Sequence, residues 1–337
     1  MRDAQQSPCE RIVPRDAVPL EATGQWLGRL REQGFAVIKD IASEEQVTEG
    51  KALLWDWLES LGSGISRHNP TTWGNANWPG PLALGFAPTH GGGQCQAAWH
   101  FRGLPRVKEA FAAIWETNDL ICSLDSPILW RPWWAGAPQR AGDVTWEPRT
   151  EGLHCDQNPH TRRGFHCVQG MIPLCAVTPD IGGLEVVPRT HDDATQAYLR
   201  EEYSVRAGID WLRLHPADKF QGQGMLVIAH PGDLILWDSR LIHGGRSGPG
   251  VQGEVAEGEE NAMAPDLARC AMTVCMVPRA KASAEVLERR RTAVEMGLTL
   301  SHWPQKFDPQ AFGNSSGTNI AFRYAQPQLT DAQRSVL

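Results

Sequence analysis

Two short stretches of this sequence carry side chains that could share one metal ion. Gly152-Leu153-His154-Cys155-Asp156-Gln157 holds a His-x-Asp triplet, and Leu241-Ile242-His243-Gly244-Gly245 supplies a second imidazole 89 residues downstream. Two imidazoles and one carboxylate can occupy one face of an octahedral Fe(II), leaving the opposite face for a co-substrate and O2. The triplet alone decides little. With 11 His and 39 acidic residues in 337, a His-x-Asp/Glu spacing arises about once by chance, and a second one, His191-Asp192-Asp193, is present. Context separates the two. His154 and Asp156 alternate along an expected strand, 153–157, so their side chains project to one face. His191 and Asp193 follow Val186-Val187-Pro188-Arg189 at an expected helix start, where an Asp or Thr is explained by capping. His154, Asp156 and His243 are therefore the candidate catalytic and metal-binding residues. His243 is expected to follow the apolar strand Leu234-Ile235-Leu236-Trp237 and to reach the other two across the sheets of a jelly roll.

The elements that must hold these residues can be read from periodicity. Trp26, Leu27 and Leu30 space like an amphipathic helix over 21–33 that Gly34 closes, and a short strand follows over 35–40. Ser43 with Gln46 makes a capping box for a second helix ending near Leu61. From 62 to 150 Gly and Pro are frequent and eight of the 14 tryptophans occur, from Trp73 to Trp146. Such a region suits the wall of a pocket, because indoles give large contact area at small rotamer cost. Trp99, Arg102, Trp130 and Arg131 are the candidate substrate contacts within it. One helix is expected there over 107–115, with strands inside 120–134. Short strands then follow over 153–157, 166–177, 184–187, 225–229, 233–238 and 270–277, with an inserted helix over 190–203 and a last one over 283–298. This pattern predicts a mainly β fold with flanking helices (α+β), a double-stranded β-helix of the jelly-roll, cupin-like kind. One domain is expected over 1–337, comprising a polar tail (1–18), a helical and Trp-rich elaboration (19–150), a metal-binding β core (151–280) and a C-terminal helix and tail (281–337).

Bulk properties narrow the function. A net charge of −7 argues against nucleic acid as partner, since that affinity rests on many Lys and Arg contacts. No apolar run approaches the length that spans a bilayer, and the polar start Met1-Arg2-Asp3-Ala4 shows no secretory signal; a cytoplasmic location away from membranes is expected. Eight cysteines without a Cys-x-x-Cys pair read as buried thiols in a reducing compartment, not as a disulfide framework or structural zinc. Asp238 and Ser239 near His243 lack the elbow that a Ser-His-Asp hydrolase needs.

Gly152-Leu153-His154-Cys155-Asp156, then Gly182-Gly183-Leu184-Glu185-Val186-Val187-Pro188-Arg189-Thr190-His191, then Pro231-Gly232-Asp233-Leu234 leading to Leu241-Ile242-His243-Gly244, resemble the ordered signature blocks of the phytanoyl-CoA dioxygenase family. The resemblance covers roughly residues 120–280. The middle block is similar to that family's G-x-L-x-V-x-P-G-S-H stretch, with Arg189-Thr190 in place of Gly-Ser. The resemblance implies an Fe(II)- and 2-oxoglutarate-dependent oxygenase that also consumes O2, with His154, Asp156 and His243 on the metal. It also implies an Arg, on the strand after the distal His, that holds the far carboxylate of 2-oxoglutarate. Arg269 opens that strand here, and a cation fork matches a buried carboxylate with two hydrogen bonds. The interval is lengthened by an acidic insertion with Glu254, Glu257, Glu259 and Glu260, so Arg246 competes for the role. Gln169 is a second polar candidate for 2-oxoglutarate, and the loop residues His160, Arg162 and Arg163 read as a solvated charged loop. Related halogenases carry a small residue at the carboxylate position, so Asp156 favours hydroxylation of a C–H bond. The expected partner is a small molecule, such as a specialised metabolite. Two other classes stay open: a cupin-like metal enzyme without 2-oxoglutarate, which would need no carboxylate-binding Arg, and a non-catalytic binding module, which would need no metal.

Overall fold

The computed structural model describes residues 11–80, 84–134, 145–204, 210–251, 266–310 and 317–337. Cys9 and the acidic insertion with Glu254, Glu257, Glu259 and Glu260 lie outside the described residues.

Local chemistry sets the helix ends. Helix α1 (Thr23–Gln33) stops at Gly34, whose φ of 84° is left-handed, a conformation that costs a side-chain-bearing residue about 1–2 kcal/mol. Helix α2 (Glu44–Ser60) starts on a reciprocal Ser43–Gln46 capping box. Next come α3 (Gln96–Arg102) and α4 (Pro105–Trp115). The inserted helix α5 (Asp193–Glu202) is capped by Asp192, whose side chain accepts from Thr195 N at 2.7 Å. Helices α6 (Ala284–Met296) and α7 (Asp331–Ser335) complete the set. None of the described helices is long and apolar enough to cross a membrane.

Thirteen strands are described: β1 (Ile12–Val13), β2 (Val18–Pro19), β3 (Phe35–Lys39), β4 (Leu120–Cys122), β5 (Ile128–Trp130), β6 (His154–Cys155), β7 (Val168–Pro173), β8 (Gly182–Val186), β9 (Leu212–Arg213), β10 (Met225–Val227), β11 (Leu234–Asp238), β12 (His243–Ser247) and β13 (Arg269–Pro278). They form two mixed sheets. One runs β1-β10-β8-β12-β6-β9, and the other runs β2-β3-β11-β7-β13-β4 with β5 also on β13. The fold is the mainly β jelly roll with flanking helices that the sequence predicts, its two sheets unclosed.

Alternation along the strands sorts side chains between two cores. In β11, Leu234 and Leu236 face the helical layer with Trp26, Leu54, Phe101 and Phe111, whereas Ile235 and Trp237 face the space between the sheets with Leu184, Val186 and Leu226. In β13, Cys270, Met272 and Val274 go to the helical side. Arg269, Ala271 and Thr273 therefore point between the sheets, which is where a polar site can be built.

Candidate active site

His154 opens the short strand β6, and its direct cross-strand partner on β12 is His243. The two imidazoles thus come from adjacent strands of one sheet, which corrects the expectation that they meet across two sheets. The expected strand over 153–157 is also shorter: β6 stops at Cys155, and Asp156 stands just past its end. The three side chains still converge. Their ligand atoms all lie within 4.8 Å of one another, with Asp156 Oδ1 3.5 Å from His154 Nε2 and Asp156 Oδ2 3.2 Å from His243 Nε2. Each ring is held from behind. His154 Nδ1 donates to Gly152 O and His243 Nδ1 to Leu241 O, both at 2.8 Å. Those bonds fix the tautomers and leave both Nε2 atoms aimed inward.

Electrostatics suit a cation. Burial, reinforced by His243, pushes the His154 pKa down to about 4, so this ring is neutral and ready to ligate. Burial alone would raise Asp156, but His302, His243 and His154 together hold it well below the usual carboxylate range. Burial likewise opposes a proton on His243, yet the hydrogen bond and charge of Asp156 raise its pKa. Two neutral-capable nitrogens and one carboxylate oxygen, pre-oriented around a common centre, fit the donor set of non-haem Fe(II).

The His-Gly-Gly sequence has a steric reason. A Cβ on Gly244 would stand 2.6 Å from Gly152 O, and one on Gly245 would stand 3.2 Å from Thr150 Cγ2. Glycines let segment 150–152 lie flat on β12 and deliver His154 beside His243. The Val-Pro-Arg-Thr-His stretch is structural. Arg189 sits at φ 69°, a left-handed position that explains the family's Gly there. Thr190 Oγ1 donates to Val187 O at 2.7 Å and accepts from Ile242 N at 2.9 Å, tying the turn to the residue before His243. The competing triplet dissolves: His191 Nε2 bonds Arg31 O at 2.9 Å and Asp192 caps α5.

A cavity of about 860 Å³ opens from the triad and is lined also by Gln169, Met171, Trp237, Trp130, Arg269 and Thr273. Gln169 Nε2 donates to Asp156 Oδ2 at 2.8 Å and to Ser239 Oγ at 3.3 Å, so it orients the carboxylate. Arg269 is 7% exposed and pairs in register with Trp130, its guanidinium 4.4 Å from that ring's centroid. Its described hydrogen bond goes only to Met171 Sδ at 3.4 Å, and Nε has no partner. Burial lowers its pKa to about 10. Arg246 is committed elsewhere, bonded to Glu185 Oε2 at 2.9 Å and to the carbonyls of Arg11 and Gly224; it does not line the cavity.

Of the four candidate substrate contacts only Trp130 lines this cavity. Trp99 is fully buried on α3, bonded to Gln94. Arg102 donates to Gly93 O and Asp125 O, both at 2.7 Å. Arg131 donates to Trp73 O and Asn75 Oδ1. The reason is period two: Trp130 points between the sheets, so its neighbour Arg131 points into the helical layer, between Trp78 and Trp146. Sequence reasoning missed Glu151, Trp211, His302 and Trp303, which all line the cavity. Trp211 packs edge-on against the His154 ring at 5.9 Å. His302 and Trp303 come from the irregular segment after α6, where no periodicity marks an inward side. Among the loop residues, His160 bonds Tyr203 O, while Arg162 pairs with Asp210 and stacks on Trp303.

Comparison with known proteins now adds a lineage. The family model of phytanoyl-CoA dioxygenase (PhyH) matches residues 74–248, more than half of the chain. The chain belongs to the phytanoyl-CoA dioxygenase family. As a PhyH-family protein it is a non-haem iron oxidoreductase dependent on Fe(II), 2-oxoglutarate and O2. The matched segment begins earlier than the expected 120 and ends before Arg269. The PhyH-family chain is 27% identical over 311 residues to Ava biosynthesis cluster protein O of Aspergillus versicolor, covering 88% of this chain and 91% of that one. The non-haem α-ketoglutarate-dependent carbocyclase SnoK of nogalamycin biosynthesis superposes with a TM-score of 0.50 at 14% identity, over 77% of this chain and 86% of that one, and shows the same fold.

Proposed function

We propose that His154, Asp156 and His243 hold Fe(II), that Arg269 binds the far carboxylate of 2-oxoglutarate, and that the enzyme hydroxylates a C–H bond of a small specialised metabolite. The observation that carries this reading is Arg269. It is a cation buried on the wall of the triad's own cavity, with no anionic partner among the described residues. A buried charge without a counter-ion is costly, and a dicarboxylate co-substrate supplies the missing partner. A metal enzyme that did not use 2-oxoglutarate would have no need of such a residue. Arg246 is the weaker candidate, because Glu185 already neutralises it.

When bound, Fe(II) with 2-oxoglutarate and O2 supplies the oxidising power, coupling decarboxylation to succinate and CO2 with oxygen insertion into the substrate. The chain's own residues do the rest. Gln169 and Ser239 fix Asp156, the carbonyls of Gly152 and Leu241 fix the rings, and Trp130 and Trp237 exclude water from the inter-sheet space. Asp156 fills the position that is small in halogenases, which favours hydroxylation. The naming of the Aspergillus relative for a biosynthesis cluster supports a specialised metabolite as substrate. Seven free thiols among the described residues suit a reducing, cytoplasmic setting, and the chain is read as one domain.

The test is succinate release with Fe(II), 2-oxoglutarate and a metabolite library, with His154→Ala as control. Turnover that one compound stimulates and the control abolishes is expected. Absence of 2-oxoglutarate binding to the Mn(II)-loaded protein would refute the reading.

A further inference from the structure

Resting on the proposed reading, we infer that Glu151 is the substrate-recognition residue and that the substrate carries a positively charged nitrogen, as an amine or guanidinium, on an apolar body. The inference comes from pairing off the carboxylates, lysines and arginines on the cavity wall. Asp156 belongs to the triad. Asp210 is taken by Lys306 and Arg162. Asp125 lies 3.6 Å from Arg102 and accepts from Ser123 Oγ at 2.7 Å. Arg269 faces 2-oxoglutarate in the proposed reading, and Arg149 and Asp308 are exposed at the rim. Glu151 remains. It is half-buried and has no hydrogen bond or ion pair among the described residues.

Its place is built. Segment 150–152 is pressed onto β12 by the close approach that Gly244 and Gly245 permit, which sets Glu151 on the cavity wall within electrostatic reach of His243. Glu151 and His243 feel one another's charge, as do Glu151 and Asp156. Arg213, the cation whose charge also reaches Glu151, is exposed and off the cavity wall. A carboxylate drawn partly out of water, with its pKa raised by burial and by Asp156, gains most from a cation that arrives with the ligand. The neighbouring walls suit the same ligand. Trp211, Trp237 and Trp303 line the cavity, and indole faces attract cations as well as apolar groups.

The experiment uses the Mn(II)- and 2-oxoglutarate-loaded full chain and three probes of one shape: 2-phenylethylamine, 2-phenylethanol and 3-phenylpropanoate. Calorimetric titration of wild type is expected to give the amine at least about tenfold tighter than the alcohol, with the acid weakest. Glu151→Gln should bring amine and alcohol to within about twofold, Glu151→Asp should keep the amine preference, and Glu151→Lys should favour the acid. Equal binding of amine and alcohol to wild type, undetectable amine binding, or an amine preference that survives Glu151→Gln would each overturn the inference. The underlying reading is scored separately, by Mn(II)-dependent 2-oxoglutarate binding to wild type before any probe is added.

Discussion

Replacing Arg269 with methionine should make the unliganded protein more stable while abolishing its response to 2-oxoglutarate. Burial lowers the Arg269 pKa from 12.5 to about 10, and each unit corresponds to about 1.4 kcal/mol, so holding the charge costs the apoprotein on the order of 3 kcal/mol. The guanidinium recovers part of this over the Trp130 ring, roughly 1–2 kcal/mol for a desolvated cation–π contact. The net gain for Arg269→Met is then about 1–2 kcal/mol, a rise in Tm of roughly 1–3 °C for a chain of 337 residues. The sign follows from the direction of the shift. The folded pKa lies below the unfolded one and both lie far above neutrality, so the penalty is constant through neutral pH and is relieved only above about pH 10. The difference in Tm should therefore be flat from about pH 6 to about pH 9. With Mn(II) present, 2-oxoglutarate at about 100 times its Kd should stabilise wild type by about 2.7 kcal/mol. The variant, lacking the charged partner, should show almost no shift, since losing a buried charge pair costs about 2–5 kcal/mol of binding. Differential scanning fluorimetry reads both numbers. A variant less stable than wild type without ligand, or one that 2-oxoglutarate still stabilises, would refute the reasoning.

Gly244→Ala places a Cβ 2.6 Å from the Gly152 carbonyl, so the segment carrying His154 must shift; a loss of about 1–3 kcal/mol is expected, with Mn(II) affinity down at least about tenfold. Gly28→Ala, with nothing within 4 Å, is the control and should be neutral or stabilising. Gln169→Leu removes the amide that orients Asp156 and should weaken Mn(II) by about 10–100-fold, checked by calorimetric titration. Because Asp156 raises the His243 pKa above 6.5, metal must displace a proton. Mn(II) affinity should climb as pH rises past 6.5, with release of about one proton, and an affinity flat across that range would contradict this. In the apoprotein the same His243 contribution is complete below 6.5 and lost as pH rises through its raised value. That of Asp156 is present above 3.8 and lost as pH falls through its depressed one.

The triad was readable in the sequence because it combines a strand-period spacing with turn chemistry. His154 and Asp156 alternate, and His243 is followed by two glycines whose small size the packing against 150–152 demands. Arg269 came from the family resemblance, as the residue expected to open the strand after His243, and β13 does begin there. The substrate wall was not. Tryptophan content marks indoles without saying which face they take, and Trp130 and Arg131 are adjacent yet end on opposite sides of one sheet. Glu151, His302 and Trp303 sit in irregular backbone with no period to orient them. The short strands β1 and β2 and the helix α3 also escaped, since two to seven residues carry too little pattern to stand out.

The site depends on both sheets, and each supplies a different part. The imidazoles ride on β6 and β12 of the six-stranded sheet, while Gln169, Trp237 and Arg269 come from β7, β11 and β13 of the other. Gln169 is the bond between them, reaching across to Asp156. The triad's sheet needs its own restraint, because β6 is two residues long and shares a single described register pair with β12. The other half of the pair is held firmly, since β12 has five register pairs with β8 and, just before His243, Thr190 Oγ1 accepts the amide of Ile242. The Val-Pro-Arg-Thr-His block, which holds a decoy for a metal triplet, thus acts as the clamp that keeps His243 in line. Its threonine hydroxyl should matter more to metal affinity than the neighbouring imidazole of His191, which serves only to bind the end of α1.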